Sequence, residues 1–101
     1  MAVIQQQTTI PNKYGLHARP AMQFVETANK FSSKIQVSNG VLDVDAKSIM
    51  SVMRLAATKG TVLTILADGG DAEQAVAELV KLVDDGFGEM EQEAASEAGE
   101  E

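Results

Sequence analysis

Two apolar stripes at helical spacing, far apart in the chain, constrain most of what this sequence can fold into. Ala21, Phe24, Val25 and Ala28 fall at i, i+3, i+4 and i+7, the buried face of a helix from about Ala18 to Lys30. Val76, Leu79, Val80 and Val83 repeat the pattern in a later helix, opened by Asp71 with Gln74 in a capping-box-like arrangement. Elsewhere the residues favour extended chain. Val3 to Ile10 is rich in β-branched side chains, with Ile4, Thr8 and Ile10 on one parity, and stops at Pro11-Asn12. Ile35 and Val37 alternate with polar residues up to Asn39-Gly40, which predicts a type I′ hairpin turn, and Leu42 and Val44 continue beyond it. A short helix capped by Ser48 is expected to run to about Ala57 and to end at Lys59-Gly60. Thr61 to Ala67 reads as a fourth strand, closed by Asp68-Gly69-Gly70.

The resulting order is βαββαβα. It predicts an α/β (α+β) open-faced sandwich: a four-stranded, mostly antiparallel sheet covered on one face by three helices. The length of 101 residues suits one domain, expected over 1–88. Residues 89–101 hold six Glu, no base and almost no core-forming side chain, and read as a disordered or loosely helical acidic tail. With no Cys and one His, neither a disulfide nor a metal site is expected, and no cofactor is implied. No apolar run reaches membrane-spanning length and the first residues lack a signal-peptide pattern, so a cytoplasmic protein without direct membrane insertion is expected.

The charge is unevenly spread. Residues 1–60 carry seven basic and three acidic side chains, +4, whereas 61–88 carry one and six, −5. With a net charge of −7, nucleic acid is not an expected partner. The basic half, with His17, Arg19, Lys47 and Arg54, could instead meet an acidic protein surface.

The chemistry concentrates in Gly15-Leu16-His17-Ala18-Arg19-Pro20, between a predicted strand and a predicted helix that His17 would cap. Backbone N–H groups at a helix start have no partner inside the helix and favour a bound anion. The helix dipole disfavours the imidazolium, so a neutral, nucleophilic ring is expected there. A nucleophilic ring, a cation two residues on and spare donors could take a phosphoryl group and pass it on. A relay should not hydrolyse its cargo, so no hydrolytic base is expected near His17, and no carboxylate lies in the motif. Taken alone, such a histidine could merely cap its helix. Likewise Ser48 is a good N-cap, and Met50 and Met53 at helical spacing could be core. Val52, Leu55 and Ala56 already supply an inward face, however, which leaves Ile49, Met50 and Met53 on or near the outside, where methionines adapt to several partners.

Gly15-Leu16-His17-Ala18-Arg19-Pro20-Ala21, together with Ala46-Lys47-Ser48-Ile49-Met50, Val52-Met53 and Leu55, resembles the HPr family over roughly Ile4 to Gly88. These are histidine-containing phosphocarriers of the bacterial phosphoenolpyruvate-dependent phosphotransferase system. The resemblance implies a carrier rather than an enzyme. His17 would be phosphorylated on Nδ1 by enzyme I and would donate to IIA domains, with Ala18 N–H and Arg19 holding the phosphoryl oxygens. It also implies that Ser48 is addressed by an HPr kinase/phosphorylase. Partner contacts would fall on Met22, Ile49, Met50, Met53 and Arg54, in a monomer. Ser51, Arg54 and the long acidic tail depart from the usual pattern and bear on partner choice. Two other roles belong to the same fold: a carrier of the nitrogen-related branch, and a binding-only regulator, against which His17 argues. Acyl and lipoyl carriers are not matched by Ala46-Lys47-Ser48.

Overall fold

Alternation decides the sheet. In β4 (Val62–Asp68) Leu63, Ile65 and Ala67 are buried, and in β2 (Lys34–Ser38) Ile35 and Val37 are buried, with polar neighbours on the other face. The chain, a computed structural model describing residues 3–89, adds β1 (Val3–Thr9) and β3 (Asp43–Asp45) to give the order β1-β4-β2-β3. All three pairings are antiparallel, with Thr8 opposite Leu63, Ile35 opposite Ala67 and Val37 opposite Val44. Helices α1 (Ala18–Ala28), α2 (Ile49–Met53) and α3 (Ala72–Asp84) complete the expected βαββαβα order. Phe24, Ala28, Val76, Leu79 and Val83 turn inward onto the sheet and leave Gln5, Gln36, Ser38 and Thr64 on its uncovered face.

Local departures from the expected elements have local causes. The β2–β3 connection is not a two-residue type I′ turn: residues 39–42 form a wider loop. Its shape comes from Asn39, whose Oδ1 accepts from Val41 N–H at 2.9 Å and Leu42 N–H at 2.8 Å. Helix α2 stops at Met53, well before Ala57. Ala56 then takes a left-handed φ of 47° and is exposed, so the inward position passes to buried Ala57.

Asp71 stands at the start of α3, yet its side chain caps nothing there. The carboxylate faces the other way. Oδ2 accepts from Ser32 N–H at 2.9 Å and from the Ser32 hydroxyl at 3.3 Å, while Oδ1 accepts from Ser33 N–H at 2.9 Å and from the Ser33 hydroxyl. The Ser33 hydroxyl bond and then the Ser32 backbone bond lower the Asp71 pKa from 3.8 to about 2. A carboxyl with a depressed folded-state pKa stabilises fully above its unfolded value and loses that contribution as pH falls through the folded one. Asp71→Asn is therefore expected to melt at lower temperature than the parent at neutral pH. The gap should close between pH 3.8 and about 2, read by thermal denaturation across that range.

Candidate functional site around His17

The loop that carries His17 is docked on the chain that follows α2. Leu16 N–H donates to Ala57 O at 2.9 Å, and Leu16 is buried. Gly15 permits this approach: its φ is +64°, and a Cβ there would collide with Ala57 O and come within 2.8 Å of Thr58 Cα. His17 then enters α1 as N-cap, with an extended backbone (φ −75°, ψ −175°) and a carbonyl accepting from Ala21 N–H at 3.0 Å. Its side chain makes no capping bond. Pro20 has no N–H, so the first-turn donors left over are those of Ala18 and Arg19, and neither has an acceptor among the described residues.

The histidine is not alone. Glu89 Oε2 lies 2.8 Å and Oε1 3.1 Å from His17 Nε2, a carboxylate brought to the ring from outside the motif. Glu89, placed at the head of the acidic tail by its sequence context, is 8% exposed and belongs to the folded part. The remainder of that tail, residues 90–101, lies outside the described residues. Fully buried Asn12 links the pair to the loop, donating through Nδ2 to Glu89 Oε1 at 3.0 Å and to Gly15 O at 2.9 Å. Its Oδ1 has no hydrogen-bond partner among the described residues, a cost of about 1–3 kcal/mol for a buried acceptor, so the donating side of the amide governs its orientation. The Tyr14 ring meets His17 edge-on with centroids 6.2 Å apart, and Lys13 Nζ sits 5.4 Å from the Tyr14 ring centroid.

Glu89 gets there through Gly86-Phe87-Gly88, a 3-10 turn just past α3. All three residues have positive φ, 65°, 58° and 76°, which folds the chain back sharply. Phe87, 3% exposed, anchors the turn in the core. Sequence reasoning missed Asn12, Phe87 and Glu89. An aromatic between two glycines directly after a helix was the available signal for the turn; nothing local marked Glu89, 72 residues from His17.

The remaining predicted residues are distributed around this centre. Arg19 is exposed and makes no hydrogen bond or ion pair to the described residues. Met22, Ile49, Met50 and Met53 are exposed by 53%, 38%, 78% and 40%, and Arg54, at the C-cap of α2, is exposed too. Ser48 caps α2, its Oγ accepting from Ser51 N–H at 3.3 Å. It is not brought to His17. Asn29 Nδ2 donates to Lys47 O at 3.2 Å and Lys47 Nζ to Phe31 O at 2.7 Å, which ties Ser48's segment to the far end of α1. Among the described residues no cluster of three or more His, Asp or Glu could hold a metal ion, and no helix is long and apolar enough to cross a membrane.

A family model described as "PTS HPr component phosphorylation site" matches residues 4–85. The chain is 44% identical to a phosphocarrier protein HPr of Cupriavidus necator over 89 residues, 88% of this chain and all of that one. It is 54% identical to a phosphocarrier protein HPr of Haemophilus influenzae over 69 residues, 68% of this chain and 81% of that one. The fold superimposes on a crystal structure of HPr from Thermoanaerobacter tengcongensis with a TM-score of 0.81 and 47% identity, covering 84% of this chain and 96% of that one. This chain belongs to the HPr family.

Phe87→Ala is expected to lower unfolding free energy by about 3–5 kcal/mol, the usual cost of truncating a buried phenylalanine. Urea denaturation of the variant against the parent checks it.

Proposed function

We propose that this chain is a phosphoryl carrier of the phosphotransferase system that takes a phosphoryl group on His17 Nδ1 from enzyme I and yields it to IIA domains. The observation that carries the reading is the His17 ring itself. It is 41% exposed at the start of α1, and its Nδ1 makes no hydrogen bond to the described residues. Family membership supports the same role. Transfer needs in-line positioning and compensation of charge on the equatorial oxygens more than covalent assistance. The N–H groups of Ala18 and Arg19 and the Arg19 guanidinium, none of them bonded among the described residues, are suited to that charge. No turnover chemistry is assigned to the chain: it is the protein substrate of its partners, it acts as a monomer, and it works in the cytoplasm.

Docking is assigned to the exposed apolar strip of Met22, Ile49, Met50 and Met53, bordered by Arg19 and Arg54. A basic rim around soft apolar side chains fits an acidic partner surface with an apolar centre. Ser48, at the far end of this strip from His17, is proposed as a regulatory phosphorylation site of an HPr kinase/phosphorylase. Phosphate there would add a charge of about −1.5 to −2 to the docking face and oppose an acidic partner without touching the phosphohistidine.

Incubated with phosphoenolpyruvate and enzyme I, the parent protein is expected to gain about 80 Da by intact-mass spectrometry, and His17→Ala to gain nothing. Equal gain in both, or none in the parent, overturns the reading. Met53→Asp is expected to slow loading by enzyme I about tenfold in stopped-time phosphorylation assays while moving the melting temperature little, because Met53 lies outside the buried core.

A further inference from the structure

A neutral imidazole carries its proton on Nδ1 or on Nε2, and only the unprotonated nitrogen has a lone pair with which to attack phosphorus. In this chain a carboxylate faces one of the two. Glu89 Oε2 and Oε1 lie 2.8 Å and 3.1 Å from Nε2. An ionised carboxylate can only accept, so that hydrogen bond exists with the proton on Nε2. Asn12 holds the carboxylate in this role. Both of its amide hydrogens are committed, one to Gly15 O at 2.9 Å and one to Glu89 Oε1 at 3.0 Å. Turning the amide over would set its oxygen against two acceptors. Asn12 is wholly buried and Glu89 nearly so, which limits competition from water.

We infer that Glu89 is a positioning residue for phosphoryl transfer: by accepting Nε2–H it keeps His17 in the tautomer whose lone pair is on Nδ1. The inference rests on the reading of His17 as the phosphoryl acceptor. In the transfer, the Nδ1 lone pair forms the P–N bond while the bond from phosphorus to the donor protein breaks and its electron pair returns to the donor. No proton moves, because Nε2–H is retained throughout. The ring gains positive charge as the P–N bond forms, and the Glu89 carboxylate lies against it to compensate; the onward transfer reverses both changes. The family match ends at residue 85, so this partner comes from a part of the chain that the match does not reach.

The test is the tautomer of His17 in the full chain labelled with ¹⁵N, read by two-bond nitrogen–proton correlation at a pH where the ring is neutral, beside the rate of loading by phosphorylated enzyme I. The parent is expected to hold Nε2–H as its main neutral tautomer. In Glu89→Gln the side-chain amide nitrogen can replace Oε2 and donate to Nε2, which drives the proton to Nδ1. The tautomer ratio should shift towards Nδ1–H by about tenfold and loading should slow by about tenfold. A role confined to pinning the turn after α3 would lower the melting temperature and leave the tautomer of the folded variant where it was. Three results overturn the inference: Nδ1–H as the main tautomer of the parent, an unmoved tautomer in folded Glu89→Gln, or a moved tautomer with unchanged loading. The first requires neither a folded variant nor a donor. A parent that gains no phosphoryl group on His17 overturns the carrier reading and this inference with it, whereas a parent that gains one alongside any of the three overturns this inference alone.

Discussion

The site depends on one close backbone approach, the loop at Gly15-Leu16 against Ala57. Only a residue without a Cβ can hold a φ of +64° with Ala57 O and Thr58 Cα so near, and only then does Leu16 N–H reach Ala57 O. This contact sets the angle at which the chain enters α1. It thereby decides that the imidazole stands beside the helix start instead of bonding back to it. Lys47 is held at the far end of α1 by Asn29 and the Phe31 carbonyl, so that Ser48 starts α2 at the opposite end of α1 from the histidine.

A second dependence closes the site from the opposite terminus of the domain. Three successive left-handed residues after α3, with Phe87 sunk in the core, return the chain to the histidine loop. The buried Asn12 amide ties that loop and Glu89 together through its two hydrogens. Loop, helix start and C-terminal turn are thus one hydrogen-bonded unit. Among the described residues its charges are ordered in space: spare amides and Arg19 at the start of α1, a carboxylate on Nε2, and an unbonded Nδ1.

Most of the architecture was legible in the residues because it rests on periodicity. The stripe at Ala21, Phe24 and Ala28, the stripe at Val76, Leu79 and Val83, and the alternation in β2 and β4 each record which side of an element faces the core. The misreadings share a cause. Asn39 shapes its loop with a side-chain oxygen, Asp71 abandons its own helix for Ser32 and Ser33, and Ala56 leaves the helix that its apolar character suggested. In each case a specific hydrogen bond or backbone state overrode a local preference.

By itself, the sequence determined the element order, the core faces, the N-cap position of His17 and the apolar strip on α2, because these follow from spacings of a few residues along one chain segment. Only the tertiary structure decided that Glu89 belongs to the fold, that Asn12 holds it and that Ser48 lies apart from His17. Those are relations between segments, set by how helices and turns pack in three dimensions. A carboxylate 72 residues from a histidine has no spacing that could announce the 2.8 Å between them.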